Sequence, residues 1–254
     1  MTADAGRVPA GRWWSVRRPA GGRWWQREWG GMPVWAVVST LLVIPGLLWA
    51  GMGLRPAPAA DVAAASSPVV LFLGDSYVAG AGASNPSRSW VSVVGAAEGW
   101  RVRNYARGGT GYVAEVSGEK APNACGREDC PDFAAMAREG AALLPDIVVV
   151  SGGRNDIGAD ALDTGVAQFF ALLRETYPNS RIYVTNVLWD ATDPPPQVAA
   201  LADVVRAGAE GIGATWLDLG QPLGSDTELV APDGVHPDDA GHQAIADAVL
   251  AALD

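Results

Sequence analysis

The sequence predicts an α/β domain with a mostly parallel sheet, and three observations carry this prediction. Stretches with strand character alternate with stretches of helical spacing from residue 68 to residue 254. Two strand-like stretches, residues 69–73 and 146–150, are almost wholly apolar, as strands buried on both faces are. Polar, glycine-rich turns directly follow three of the predicted strands. A composition of 49% hydrophobic and 18% charged residues suits one sizeable core.

The first half of the domain is predicted to contain two strands and two helices. Residues 69–73 form an unbroken apolar run typical of a central parallel strand, and residues 101–106 alternate as a short strand does. Residues 89–98 have helical spacing with a serine as cap, and residues 133–144 are rich in alanine. Residues 107–131 are predicted to be a long, glycine-rich connection.

The second half is predicted to contain three strands, each followed by a helix. The strands cover residues 146–150, 181–188 and 214–219, and the helices cover residues 162–177, 197–210 and 238–253. The first of these helices is amphipathic and is followed by a proline. The last carries acidic residues in its first turn, where the positive end of the helix dipole favours them. Right-handed crossovers would place helices on both faces of the sheet.

An uncharged run precedes the domain and predicts a membrane segment. No charged residue occurs from Trp29 to Leu54, a run that reaches the roughly 20 residues needed to cross a bilayer. We expect residues 33–54 to be a transmembrane signal anchor, and residues 1–32 to be a cytoplasmic tail rich in Arg, Trp and Gly. The arginines of this tail favour the cytoplasmic side. Residues 55–67 would be an Ala/Pro linker to an extracytoplasmic domain of residues 68–254.

A cleaved signal peptide is the alternative to the anchor. Ala57-Pro58-Ala59 resembles a small-x-small cleavage site, and cleavage there would release a secreted protein. Cys125 and Cys130 are the two cysteines, and outside the membrane a disulfide across a short loop is expected for them. A zinc site is disfavoured, because two ligands do not complete one and both histidines lie far away in the sequence.

The charge distribution disfavours nucleic acid as a partner. Residues 1–60 hold seven arginines and two acidic residues, whereas residues 61–254 hold eleven basic and 26 acidic residues. Phosphate binding needs clustered lysines and arginines, and the acidic domain does not offer them.

Three polar turns indicate where the domain would carry a site. Gly74-Asp75-Ser76, Ala106-Arg107-Gly108-Gly109 and Gly152-Gly153-Arg154-Asn155 each follow a predicted strand. Because the carboxyl ends of parallel strands meet at one edge of a sheet, these turns should converge there.

Ser76 is the predicted nucleophile of this site. A serine hydroxyl needs a base, and the chain offers only two histidines, His236 and His242. His236 lies in Asp233-Gly234-Val235-His236, where a carboxylate three residues earlier can bond Nδ1 and leave Nε2 facing the serine. Asp233 would therefore orient the base. The competing interpretation of Ser76 is a turn residue or helix cap, and His242 is interpreted as structural.

The same site should supply donors for an oxyanion. The Ser76 amide is one donor, an amide of the Gly108-Gly109 turn is a second, and the Asn155 side chain is a third. Asn155 could instead bond its own loop, and Asp156 is interpreted as a cap or loop anchor. Arg107 and Arg154 are equally consistent with solvated side chains and with binding an anionic substrate group.

These blocks together resemble the SGNH/GDSL hydrolases. Gly74-Asp75-Ser76 is similar to the first block, although Tyr77 stands where the family name implies leucine. Asn104 to Thr110, Gly153 to Asp156, and Asp233 to Pro237 are similar to the other three blocks. The resemblance implies a flavodoxin-like three-layer α/β/α sandwich with about five strands, the triad Ser76, Asp233 and His236, and oxyanion donors at Ser76, Gly109 and Asn155. It implies no metal and no cofactor.

The expected function is cleavage of carboxylic esters outside the membrane through an acyl-enzyme. Substrates would be small esters, or acylated glycans or lipids carrying O-acyl or O-acetyl groups. One alternative is an O-acyltransferase acting on cell-envelope glycans, because the triad chemistry would be the same. The other is a non-catalytic, membrane-tethered carbohydrate-binding module that keeps the fold.

Overall fold

The computed structural model of the protein describes residues 67–254 together with two short strands near the N terminus. These strands, β1 (Glu28–Trp29) and β2 (Met32–Pro33), pair in antiparallel fashion. Apart from them, the predicted tail, membrane segment and linker lie outside the described residues. Among the helices that are described, none is long and apolar enough to cross a membrane.

The domain is built on one parallel sheet. The domain contains seven strands, which in chain order are β3 (Val69–Gly74), β4 (Arg101–Asn104), β5 (Val116–Ser117), β6 (Asp129–Cys130), β7 (Ile147–Ser151), β8 (Arg181–Thr185) and β9 (Thr215–Leu217). Five of them form the sheet in the order β4-β3-β7-β8-β9, and every neighbouring pair is parallel. Within the sheet this is the order 2-1-3-4-5 of flavodoxin-like folds. The predicted α/β class is confirmed.

Helices cover both faces of the sheet. The described helices are α1 (Ser76–Ala79), α2 (Trp90–Ala97), α3 (Ala121–Cys125), α4 (Phe133–Gly140), α5 (Leu162–Thr176), α6 (Pro196–Gly211) and α7 (Asp239–Leu253). Successive strand residues point to opposite faces, so Leu71 and Val148 pack with α4, α5 and α6. Val70 and Val149 pack with α2 and α7 on the other face. Two cores on either side of the sheet make the expected three layers.

Two predicted strands are longer than the strands in the structure. The strand expected over residues 181–188 ends at Thr185, and the strand expected over residues 214–219 is β9, which ends at Leu217. Beyond these points the Asn186 side chain takes the place of backbone hydrogen bonds between the two strands. Its Oδ1 accepts from Leu219 N (2.7 Å), and its Nδ2 donates to Gly220 O (2.7 Å). An asparagine that hydrogen-bonds a neighbouring backbone in this way competes with regular pairing.

One predicted helix also ends earlier than expected. The helix expected over residues 133–144 ends at Gly140 and continues as a 3₁₀ turn, Ala141–Leu143, before Leu144 takes a left-handed conformation (φ 46°). The predicted cap of α2 is present, because Ser89 accepts from Ser92 N. Asp238, predicted to lie in the first turn of the last helix, is instead the cap of α7 and accepts from Ala240 N and Gly241 N.

The connection over residues 107–131 is more ordered than predicted. It contains the β5–β6 pair and the short helix α3 between them. A disulfide joins Cys125 and Cys130, the pair for which one was expected, and their Cα atoms are 6.0 Å apart. The sequence carries little periodicity here because each of these elements is only two to five residues long.

Candidate active site

The serine lies where the central strand ends. Ser76 is the first residue of α1, which follows β3. The strands on either side of β3, β4 and β7, are parallel to it and end at the same edge of the sheet. Gly74 permits this arrangement, because a Cβ there would lie 2.3 Å from Ser151 O on β7. The predicted convergence of the turns on one edge is confirmed. Ser76 is 9% exposed, so most of this residue is buried.

A buried carboxylate precedes the serine. Asp75 caps α1, with its Oδ1 accepting from Tyr77 N at 3.0 Å. Burial raises the pKa of Asp75 to about 6, against the lowering effects of the Tyr77 hydrogen bond and the positive charge of Arg154. With one oxygen committed to the cap, Asp75 fixes the turn that presents Ser76.

The Asp233–His236 pair has the predicted geometry. Oδ2 of Asp233 lies 2.7 Å from Nδ1 of His236, and Oδ1 accepts from the amides of Val235 (2.9 Å) and His236 (3.0 Å). The bond to the imidazole, followed by these amide bonds, lowers the pKa of Asp233 to about 2. A carboxylate can only accept, so Nδ1 carries the proton and Nε2 is the basic nitrogen.

The loop with His236 packs against the helix that Ser76 begins. The ring centroids of Tyr77 and His236 are 6.1 Å apart, and Tyr77 Oη donates to Val235 O at 2.6 Å. Among the described residues, no hydrogen bond joins the Ser76 hydroxyl to the His236 ring. Catalytic hydrogen bonds are often long in a free enzyme and shorten when substrate binds, so the lack of this bond does not exclude His236 as the base.

Two of the predicted oxyanion donors, Gly109 and Asn155, are linked through Thr110. Asn155 lies in the 3₁₀ turn Arg154–Asp156 after β7, and its Nδ2 donates to Thr110 O at 3.0 Å. Gly109, next to Thr110, takes a left-handed conformation (φ 76°), which favours glycine. Asn155 thus bonds a neighbouring loop, whereas the competing interpretation expected a bond within its own loop. That bond uses one of the two N–H groups of its amide and leaves the other as a donor.

Residues beside the disulfide pack on the same glycine turn. A Cβ at Gly108 would lie 2.1 Å from Ala124 O, and one at Gly109 would lie 2.6 Å from Val116 Cγ2. Ala124 precedes Cys125 in α3, and Val116 pairs with Cys130, so both contacts come from residues adjacent to the disulfide. The long connection therefore covers the back of the Gly108-Gly109 turn, and only residues without a Cβ allow this close approach.

Asp156 is a loop anchor, as its position predicts. It is fully buried and accepts from the amides of Tyr112 (2.8 Å), Val113 (3.0 Å) and Ala114 (2.8 Å). Burial raises its pKa, although these three bonds act in the opposite direction. Asp156 ties the Asn155 turn to the segment that follows Gly109.

Comparison with known proteins identifies the family. The model of the GDSL-like lipase/acylhydrolase family matches residues 72–244. The chain belongs to this family. A GDSL lipase of Mycobacterium tuberculosis is 32% identical over 194 residues, which cover 71% of this chain and 79% of that protein. The protein is therefore an enzyme of the esterase/lipase class.

Solved structures show the same fold at lower identity. The esterase EstA from Pseudoalteromonas sp. has a TM-score of 0.55 at 17% identity, over 74% of this chain and 97% of that chain. A family two carbohydrate esterase from Cellvibrio japonicus has a TM-score of 0.57 at 18% identity, over 78% of this chain and 62% of that one. A salicylyl-acyltransferase from a tetracycline biosynthetic pathway has a TM-score of 0.51 at 21% identity, over 74% of this chain and 56% of that chain.

The second histidine of this GDSL-like enzyme is structural, as predicted. His242 is fully buried on α7; its Nδ1 lies 3.3 Å from Trp90 N and its Nε2 lies 3.1 Å from Ala81 O. Burial lowers the pKa of His242 and so favours its neutral form, in which Nδ1 accepts and Nε2 donates.

The two arginines left open by the sequence are both paired. Arg107 forms an ion pair with Glu139 on α4. Arg154 forms an ion pair with Asp190 (2.9 Å) and donates to Tyr77 Oη (2.5 Å). Neither is a solvated side chain. No sequence pattern indicates Asp190 or the Tyr77 hydroxyl as a partner of Arg154, because the fold brings these residues together from distant parts of the chain.

The described part of this GDSL-like enzyme holds no cluster suited to a metal. Among these residues, no three side chains of the types His, Cys, Asp and Glu come together as a metal site would require. The turns at this edge of the sheet and the loop before α7 carry a hydroxyl, an imidazole, a carboxylate and amide donors. These are the groups of acyl-transfer chemistry.

Proposed function

We propose that the domain is a serine esterase that cleaves carboxylic esters through an acyl-enzyme. Ser76 is the nucleophile, His236 the general base and Asp233 the residue that orients it. The observation that carries the proposal is the 2.7 Å pairing of Asp233 Oδ2 with His236 Nδ1, in a loop packed against the helix that Ser76 begins. It gives the base a fixed tautomer and an ionised partner.

The reaction follows from these roles. Ser76 Oγ attacks the acyl carbonyl carbon while His236 Nε2 takes the hydroxyl proton, and Asp233 stabilises the imidazolium. The tetrahedral intermediate collapses as His236 returns that proton to the leaving alcohol. Water, deprotonated by the same nitrogen, then releases the acid and restores Ser76.

The oxyanion would be held by the Ser76 amide, the Gly109 amide and the Asn155 side chain. Thr110 keeps the last two groups together, and the backing of the Gly108-Gly109 turn limits its movement. Removing one such donor typically slows an enzyme by about 10²–10³. Donors fixed before the reaction need no reorganisation as charge develops.

We also propose that the reaction takes place outside the cytoplasm. The uncharged run of residues 29–54 and the arginines before it support an anchored or secreted enzyme. A disulfide in the domain suits an oxidising compartment. A membrane-impermeant fluorophosphonate should label the protein on intact cells, and labelling only after lysis would refute this location.

Replacement of Ser76 tests the function. Ser76→Ala should abolish hydrolysis of p-nitrophenyl acetate and labelling by a fluorophosphonate, because both reactions need the Ser76 hydroxyl as the nucleophile. Ser117→Ala is a matched control, since Ser117 is exposed and its side chain caps nothing. If Ser76→Ala kept both activities, the proposed nucleophile would be wrong.

Acyl transfer to a glycan is the second candidate, and the fold similarity to an acyltransferase favours keeping it. Transfer and hydrolysis differ only in whether a sugar hydroxyl or water attacks the acyl-enzyme. Product analysis with an acyl donor and cell-envelope glycans separates them: an acylated glycan indicates transfer, and free acid alone indicates hydrolysis. Failure of the wild type to react with a fluorophosphonate would favour a non-catalytic carbohydrate-binding module.

A further inference from the structure

We infer that Tyr77 and Arg154 are positioning residues that hold the nucleophile, the base and the oxyanion donor in register. The inference rests on the proposed function, because it assigns these two residues to the same site. Arg154 Nη1 donates to Tyr77 Oη at 2.5 Å, and Tyr77 Oη donates to Val235 O at 2.6 Å.

Each member of this chain of hydrogen bonds adjoins a proposed site residue. Tyr77 follows Ser76, Arg154 precedes Asn155, and Val235 precedes His236. The three segments come from the ends of β3 and β7 and from the loop before α7. A single phenol oxygen thus connects the three segments that must keep their relative positions during acyl transfer.

The arginine end of this connection is itself held firmly. The side chains of Arg154 and Asp190 are each about 10% exposed and form an ion pair at 2.9 Å. The guanidinium carbon lies 4.5 Å from the centroid of the Trp189 ring and 4.9 Å from that of Tyr77. Burial raises the pKa of Tyr77, so its hydroxyl stays protonated and able to donate.

These contacts favour positioning over substrate binding. Both terminal nitrogens of Arg154 already donate to protein groups, and two aromatic rings lie against its guanidinium. The position of Tyr77 is informative as well, since the family name implies leucine there. A leucine could make neither hydrogen bond, so this connection depends on a residue in which the chain departs from the family name.

Loss of the connection should act on the chemical step. Displacement of a catalytic group by about 1 Å can cost about 100-fold in rate. Tyr77→Phe removes the hydroxyl and both hydrogen bonds while keeping the ring beside His236. We expect kcat for p-nitrophenyl acetate to fall about 10- to 100-fold with KM changed less than about twofold, and fluorophosphonate labelling to slow by a similar factor.

Tyr177→Phe is the matched control. Tyr177 is also a buried tyrosine, and its Oη donates to Ala137 O at 2.5 Å. It lies just before β8, at the opposite edge of the sheet from Ser76. This variant should lower the melting temperature about as much as Tyr77→Phe does, with kcat and the labelling rate unchanged. Equal losses of kcat in both variants would show a general effect of stability and overturn the inference.

A second variant tests whether the two residues act together. Arg154→Lys keeps a cation beside Asp190 but lacks the fork that reaches both partners. It should lower kcat as Tyr77→Phe does, and the double variant should be no slower than the slower single variant. Additive losses would mean that the residues act separately and would overturn the inference.

The labelling experiment separates this inference from the proposed function. A wild-type protein that does not react with a fluorophosphonate overturns the proposed function, and the inference with it. A wild-type protein that reacts, together with a Tyr77→Phe variant that reacts equally fast, overturns the inference alone.

Discussion

Replacing Asp75 with asparagine should stabilise the domain at neutral pH and have less effect in acid. Burial raises the pKa of Asp75 from 3.8 to about 6. Between these values the folded state binds more protons than the unfolded state, so the free energy of unfolding falls as pH rises. A shift of about two pKa units corresponds to about 3 kcal/mol in the free energy of unfolding. The domain has lost this stability once the pH is high enough to ionise Asp75 in both the folded and the unfolded state.

Asparagine preserves the structural role of this residue without the charge. Its side-chain oxygen can still accept from Tyr77 N, as Asp75 Oδ1 does at 3.0 Å. Because an amide does not ionise in this range, the variant escapes the cost of a buried charge above pH 6. The stability difference between Asp75→Asn and the wild type should therefore grow by up to about 3 kcal/mol between pH 4 and pH 7.

Denaturant unfolding of the full chain from pH 4 to pH 8 measures this difference, with tryptophan fluorescence as the signal. Asp226→Asn is the matched control, since Asp226 accepts from Glu228 N at 3.0 Å with the same spacing but is exposed. Its curve should run parallel to that of the wild type. If the Asp75→Asn curve also ran parallel to the wild type, Asp75 would not carry a buried charge, and the argument from burial would be wrong.

Two further predictions concern other parts of the domain. Burial lowers the pKa of His242, so the unfolded state binds a proton first as pH falls below about 6.5. The free energy of unfolding should then decrease in acid, and a His242→Gln variant that kept the full acid sensitivity would contradict this. Replacing Cys125 and Cys130 with serine should cost about 2 kcal/mol of stability by the loop-entropy estimate. It should also lower kcat, because Val116 and Ala124, which lie beside the disulfide, pack against the Gly108-Gly109 turn. An unchanged kcat would show that the turn needs no such support.

Local signals predicted most of the fold. Unbroken apolar runs marked β3 and β7, and the glycine-rich turns after them marked the edge where the site lies. Such signals depend on residues close in sequence and on the burial of central strands, so they survive in a single sequence. The strand ends were less accurate because Asn186 takes over the hydrogen bonds of two strands through its side chain. Nothing in the periodicity of residues 181–188 indicates that substitution.

The site was predictable to the extent that its residues stand at fixed short spacings. Asp233 and His236 are three residues apart in one turn, and the structure pairs them as that spacing requires. The partners of Arg154 had no such signal. Asp190 lies 36 residues later and Tyr77 lies 77 residues earlier, so only the parallel order of the strands brings them together. Pairings that depend on tertiary structure leave no periodic pattern in the sequence.

The turn Arg154–Asp156 shows why a short motif can organise a whole site. A 3₁₀ turn has three residues per turn, so its successive side chains project in three directions. Arg154 reaches Tyr77, Asn155 reaches Thr110, and Asp156 reaches the amides of residues 112–114. One turn therefore contacts both the nucleophile segment and the residues that follow Gly109. A change at any of its three residues should disturb a different contact, even though all three lie within one short motif.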